Sequence, residues 1–288
     1  MKFGINLYLW ADDMHDRLLP VLERLKQIGY DGVELPIFDL DQAQWALWAR
    51  RLDDLGLQRT ANTVIAAEHN PLSPEPVVRE AAYQHMRQVI DCCAVVGSSV
   101  LCGPHQVALG VFTGRGATDE ERQRCVEHLR RIAEYAAEAG VVLAEEVVNR
   151  FELYHLNTLD QAIACIDEVD HPNCRIHLDT FHAHIEEKDP AAAIRRAGSR
   201  IAHVHISEND RGVPGTGSVA WDGTFAALHD IGYDGWLTVE AFGNSLPNLA
   251  AATKIWRKLF QSEDELAADA YSFLADNWER SSRVGVAS

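Results

Sequence analysis

Basic residues are in short supply. The 288-residue chain carries 26 Lys and Arg against 43 Asp and Glu, a formal net charge of −17. A surface of that sign repels phosphate backbones and anionic lipid, which argues against nucleic acid as a partner. Long apolar runs are missing too. None approaches the roughly 18 residues that a membrane-spanning helix needs. The opening MKFGINLYLWADD passes from a short strand-like run straight into acids, without a signal-peptide core. No two cysteines have C-x-x-C spacing, and Cys92, Cys93, Cys102, Cys125, Cys165 and Cys174 mostly lie inside apolar stretches, as reduced core thiols do. These absences predict a cytoplasmic, disulfide-free protein. The first strand-to-helix turn lacks G-x-G-x-x-G, so there is no dinucleotide fingerprint.

What the chain does have is regular alternation. Strand-like runs fall at Lys2–Tyr8, Gly32–Leu35, Leu57–Ile65, Ser99–Cys102, Val141–Glu146, Arg175–Asp179, Ile201–Ile206 and Trp236–Glu240. Between them the spacing predicts helices over Asp16–Ile28, Gln42–Asp53, Pro74–Val96, Thr118–Ala139, Thr158–Val169, Pro190–Ala197 and Trp221–Ile231, with an eighth from about Pro247 to Leu259. The segments Ile28-Gly-Tyr-Asp-Gly and Ile231-Gly-Tyr-Asp-Gly use the same helix stop and strand entry. Strict β/α alternation makes the strands parallel, and eight such units in about 250 residues point to a (β/α)8 TIM barrel. A doubly wound open sheet is the alternative, disfavoured by the missing glycine fingerprint. One domain is expected over residues 1–280, closed by a helix at Glu263–Trp278 that packs on the barrel's outside or on a partner subunit. Residues 281–288 read as a frayed tail.

The stretch Val141–Glu152, VVLAEEVVNRFE, starts as a core strand and ends in a crowd of polar groups. Strand parity sorts them. Val142, Ala144 and Glu146 share one face; in later strands His177 shares a face with Asp179, His203 with His205, and Trp236 and Thr238 with Glu240. Active sites of such barrels lie at the C-terminal strand ends, where the last inward residues are Glu146, Asp179, His205 and Glu240. Three carboxylates and an imidazole forced together repel unless a cation joins them. Hard oxygen donors with one imidazole suit Mn2+, Mg2+ or Co2+ rather than a structural Zn2+. His177 and His203, one step down the same strands, are either partners that orient those ligands or hydrogen-bonded core histidines. Asn149, Arg150, Glu152, His182 and Arg211 lie nearby in sequence, and Arg211 opens a Gly-rich loop, GVPGTGSVAW, that is a candidate mobile cover.

The motifs EVVNRFE (146–152), LDTFHAHIEE (178–187), HVHISENDRGVPGTG (203–217) and TVEAF (238–242) resemble the D-tagatose/D-psicose (allulose) 3-epimerase and L-ribulose 3-epimerase family, within the xylose-isomerase-like sugar phosphate isomerase/epimerase barrels. The resemblance runs from residue 1 to Trp278 and is strongest after Val141. It implies one divalent metal per subunit, Mn2+ foremost with Co2+ or Mg2+ as alternatives, on Glu146, Asp179, His205 and Glu240. It further implies Glu146 and Glu240 as the acid/base pair and Glu152, His182 and Arg211 as holders of the O1–O3 end of a ketose. A homodimer or homotetramer is implied as well, with the C-terminal helix as one candidate contact. Two departures stand out. The family's Met-Glu-Pro-Phe is Val239-Glu-Ala-Phe242 here, and the segments after the first four strands match loosely. Asn6–Trp10, Asn62, Glu68, His105 and Phe112 either line the far end of the sugar or serve the fold.

The reaction expected is C3 epimerisation of a free ketose of the D-tagatose, D-fructose, D-psicose or L-ribulose type, or of a keto-sugar derivative. The rivals are an aldose-ketose isomerase or keto-inositol dehydratase of the same superfamily, an abasic-site endonuclease that the net charge argues against, and a sugar binder without turnover.

Overall fold

Thr118 and Thr158 each accept a hydrogen bond from the backbone N–H three residues on, while Glu121 and Gln161 reach back to close the capping box. Gly56 and Gly97 sit in the left-handed region just past two other helices and stop them. This local chemistry delimits most elements of the chain. The computed structural model describes residues 1–284.

Eight parallel strands, β1 (Lys2–Asn6), β2 (Gly32–Pro36), β3 (Gln58–Asn62), β4 (Val100–Gly103), β5 (Val142–Glu146), β6 (Cys174–Asp179), β7 (Ile201–Ile206) and β8 (Trp236–Val239), pair in sequence order, and β8 closes on β1. Ten α-helices occur among the described residues: α1 (Leu19–Ile28), α2 (Gln42–Leu55), α3 (Pro76–Val96), α4 (Asp119–Glu138), α5 (Leu159–Val169), α6 (Thr180–Glu186), α7 (Pro190–Ala197), α8 (Trp221–Asp230), α9 (Pro247–Thr253) and α10 (Glu263–Val284). The expected (β/α)8 barrel is the fold. Its main core joins the outward faces of the strands, such as Ile5, Val33, Leu143, Ile176, Val204 and Leu237, to the helices.

The barrel interior is set by register. Glu146 on β5 lies level with His177 on β6, and Asp179 with His205 on β7, after a shift in pairing at Ile176/His177. Trp236 fills the interior near Gly4 and Gly32; a Cβ on Gly32 would stand 2.3 Å from the Gln58 carbonyl oxygen and 2.8 Å from the Trp236 ring.

Several boundaries differ from those expected. β1 stops at Asn6 because the Asn6 side chain accepts from the Tyr8 N–H and turns Leu7–Leu9 into a 3-10 helix. β3 is shorter than the apolar run at both ends. The short α6 starts directly from β6, capped by Asp179 Oδ1 accepting from the His182 N–H at 2.9 Å. α9 ends at Thr253 rather than Leu259, because Lys254 turns left-handed and Ile255 folds back onto Tyr8, Phe242 and Ala250.

The final helix lies on its own barrel. Leu266, Ala267, Ala270 and Leu274 are fully buried, Tyr271 meets Tyr30 and Phe3 edge-on, and the Trp278 ring stacks on His229 at 3.7 Å. It also outlasts Trp278. Ser281 Oγ donates to the Asn277 carbonyl and Arg280 pairs with Asp222, both at 2.8 Å, so residues 281–284 of the expected frayed tail are helical. Residues 285–288 lie outside the described residues.

Candidate active site

The C-terminal end of the barrel opens into a cavity of about 620 Å3, within the range of small-molecule sites. Glu146, Glu152, His182, Arg211 and Glu240 line it, and Asp179 and His205 lie buried beneath. The seven residues that the resemblance gave metal, acid/base or substrate roles therefore lie together at this end of the barrel.

Donor atoms of Glu146, Asp179 and His205 lie within 4.8 Å of one another. Glu240 follows β8 directly, its N–H still bonded to the Ile206 carbonyl, and its Oε1 stands 3.4 Å from His205 Nδ1. Asp179 Oδ2 is 3.7 Å from the same nitrogen. That nitrogen is buried and has no hydrogen-bond partner. Burial disfavours a positive His205, yet Glu34 and Glu240 push its pKa well above the ordinary histidine range. The site thus draws positive charge to this spot, and a divalent cation supplies it without a proton. Three carboxylates around one free imidazole nitrogen fit such an ion.

Arg211 completes the charge balance. Its Nη1 donates to Asp179 Oδ2 at 3.3 Å, to Ser207 Oγ at 3.1 Å and to Glu240 Oε2. Its guanidinium centre lies 3.9 Å from the Phe181 ring and 5.1 Å from that of Phe242. Burial raises the Asp179 carboxyl, but Arg211 and His182 together outweigh it and hold that group well below the usual carboxylate range. Glu146 goes the other way. Its burial, with Glu240 nearby, outweighs His182 and raises its pKa. Of these two carboxylates, Glu146 is therefore the one disposed to take up a proton, and Asp179 the one held as an anion.

His182 Nδ1 accepts from the Asn149 backbone N–H at 3.2 Å, and its Nε2 lies 3.1 Å from Arg211 Nη2 and 3.5 Å from Glu146 Oε1. Asn149 Nδ2 also donates to Glu152 Oε1 at 2.7 Å. Arg150 turns away and pairs with Glu186.

The Gly-rich loop is tied down. The buried Glu208 carboxylate accepts from the N–H groups of Asn209, Gly215 and Val219 and from Trp221 Nε1. Held in this way, the loop is tied down rather than a mobile cover, and among residues 211–221 only Arg211 lines the cavity.

Residues from the first half of the barrel divide. Asn62 lines the cavity and accepts from Tyr8 Oη at 3.1 Å. His105 does not line it; its Nδ1 lies 2.8 Å from Glu145 Oε1, on the helix side of β5. Glu68 and Phe112 are exposed and outside the lining. His203 Nε2 lies 2.7 Å from Glu34 Oε2, whereas His177 packs edge-on against His205 with neither ring nitrogen bonded. Tyr8, within the segment Asn6–Trp10 considered from the sequence, does line the cavity; sequence reasoning passed over Glu34, Phe38 and the α9 wall of Asn248, Leu249 and Thr253. Only the lone carboxylate in the run GVELP was a signal, and a weak one. Burial, with Glu34 adding to it, keeps the Cys102 thiol protonated and able to donate to that carboxylate.

A closed parallel barrel with an acidic, imidazole-bearing centre at its C-terminal mouth defines a class, and the chain belongs to it: residues 22–274 match the xylose isomerase-like TIM barrel family. Within that family the chain is 34% identical over 281 residues to an L-ribulose 3-epimerase of Methylomonas sp., covering 96% of this chain and 98% of that one. It is 33% identical over 279 residues to a ketose 3-epimerase of Arthrobacter globiformis, covering 96% of each. A solved D-allulose 3-epimerase from Methylomonas sp., in complex with D-allulose, superposes with a TM-score of 0.90 at 34% identity, over 96% of this chain and 97% of that one. No helix among the described residues is long and apolar enough to cross a membrane.

Proposed function

We propose that this chain is a divalent-metal-dependent ketose 3-epimerase that inverts C3 of a free ketose of the ribulose, psicose or tagatose type. The observation that carries the reading is the position of Glu146 and Glu240. They enter the cavity from β5 and β8, three strands apart on the wall, and so face a ligand between them from different sides.

The residues that would hold the metal are Glu146, Asp179, His205 and Glu240, with Mn2+ the first candidate and Co2+ or Mg2+ behind it. Such an ion supplies Lewis acidity toward the carbonyl and an adjacent oxygen of a ketose. The protein does the rest. One of Glu146 and Glu240 removes the C3 proton, the other returns one from the opposite face, and each transfer contributes typically about 10²–10⁴-fold. His182, Glu152 and Arg211 hold the hydroxyls at the O1–O3 end, and Arg211 keeps Asp179 ionised. The far wall, with Phe38, Leu109, Phe242 and Leu249, offers apolar contact more than hydrogen bonds, which supports tolerance at the distal carbons.

The test is incubation of the Mn2+-loaded protein with D-fructose, D-tagatose and L-ribulose in D2O, following C3 by NMR with chromatography of the products. Deuterium at C3 together with the C3 epimer is expected; label at C1 with an aldose product would move the reading to an isomerase. In the same assay Glu240→Gln abolishes epimerisation while Glu146 still exchanges the C3 proton of one epimer, with metal content measured alongside. Continued interconversion of both epimers overturns the two-base assignment. A homodimer or homotetramer in the cytoplasm completes the proposal, and sedimentation analysis checks the assembly.

A further inference from the structure

One layer beneath the cavity the barrel interior is polar, where such layers are ordinarily filled by branched apolar side chains. Cys102, His177, His203 and His205 bring donor atoms within 4.8 Å of one another. A second metal ion is one explanation for that layer, and a carboxylate hub is the other. The bonding directions favour the hub.

Glu34, wholly buried on β2, stands among them. Its Oε1 accepts from Asn6 Nδ2 at 2.9 Å and lies 2.7 Å from His205 Nε2. Its Oε2 accepts from Thr60 Oγ1 at 2.9 Å and Cys102 Sγ at 3.1 Å, and lies 2.7 Å from His203 Nε2. The thiol and one of the nitrogens that a second ion would need, His205 Nε2, are therefore bonded to a carboxylate, and His203 Nε2 lies close to it without hydrogen-bond alignment. A carboxylate with only acceptor atoms must face protonated partners, so His205 carries its proton on Nε2. With a cation in place of any second proton, its Nδ1 is the lone pair that faces the gap between Glu146, Asp179 and Glu240, where no hydrogen bond holds it.

We propose that Glu34 is a positioning residue for the metal centre: it selects the Nε2–H tautomer of His205 and fixes the ring so that Nδ1 serves as the ligand. It touches neither substrate nor metal. The inference rests on His205 being a metal ligand, and the experiment separates the two ideas. A carboxylate behind a ligating histidine changes metal affinity by about 10–100-fold.

Mn2+ titrations of the full chain, followed by the electron paramagnetic resonance of free Mn2+, compare wild type, Glu34→Gln and His205→Asn. Glu34→Gln is expected to bind about 10–100-fold more weakly, and His205→Asn more weakly still. If His205→Asn binds as well as wild type, the metal reading at His205 falls, and this proposal with it. If His205→Asn loses binding while Glu34→Gln keeps wild-type affinity, the positioning role alone is overturned. A second readout does not depend on how the variants fold. Long-range 1H–15N spectra of the wild-type protein loaded with diamagnetic Mg2+ are expected to show His205 protonated at Nε2, and a proton on Nδ1 overturns the proposal.

Discussion

Arg211 holds two carboxylates at once, and does so from a left-handed backbone with φ 66°, a conformation that costs a non-glycine residue about 1–3 kcal/mol. The surrounding contacts outweigh that strain: two anions, Ser207 and two aromatic faces. Arg211→Ala leaves Asp179 and Glu240 buried without their partner. In metal-free protein the expected loss of stability is about 3–5 kcal/mol, read by urea unfolding. Added Mn2+ recovers much of it, because a cation replaces the missing charge; a loss that Mn2+ leaves untouched would argue that the carboxylates are not its ligands. The residues of this site differ in how they could be found. Asp179, His205 and Glu240 stand at strand ends where alternation dictates the inward face. Glu34 and Tyr8 lie in stretches as apolar as any core, and only their neighbours across the barrel give them partners.

Among the elements, the loop after β7 and the short α6 decide how rigid the site is. Glu208 is fully buried and gathers four N–H donors from residues 209–221, and its own carbonyl accepts from the Arg211 N–H at 2.9 Å. Glu208→Ala therefore frees the segment that carries Arg211. The expected result is a loss of about 2 kcal/mol or more, hydrogen-exchange protection falling across residues 209–219, and a lower kcat/KM. Unchanged exchange there would mean that the loop is held by something else. The same element scale explains α6. Asp179 ends a strand and caps a helix with one side chain, so β6 and α6 share no intervening loop for sequence punctuation to mark. α10 was legible as a helix, but not its partner: Leu274, wholly buried on its own barrel, is expected to cost about 2–5 kcal/mol when cut to Ala, measured by thermal unfolding.

For the whole molecule, acid is the expected weakness. Burial, with His105 and Arg131 adding to it, pushes His128 down to about 3; burial, with Arg122, pushes His155 down to about 4. In the unfolded chain both return to an ordinary value near 6.5. Below about pH 6.5 the unfolded state takes up protons that the folded state refuses, so stability falls as pH drops toward 4. The slope is up to about 1.4 kcal/mol per pH unit for each histidine. Urea midpoints at pH 7 and pH 5 check this, and His128→Gln should flatten the slope; equal slopes would remove His128 from the account. The sequence by itself determined the alternation, the caps that delimit the units and the inward face of each late strand, because these depend on residues within a few positions of one another. The tertiary structure alone decided which polar side chains of the first four strands reach the centre, whether His105 or Asn62 faces the cavity, and that Glu34 lies under His205. Those outcomes depend on the stagger of strands around a closed barrel, where residues 171 positions apart in the chain come to lie 2.7 Å apart.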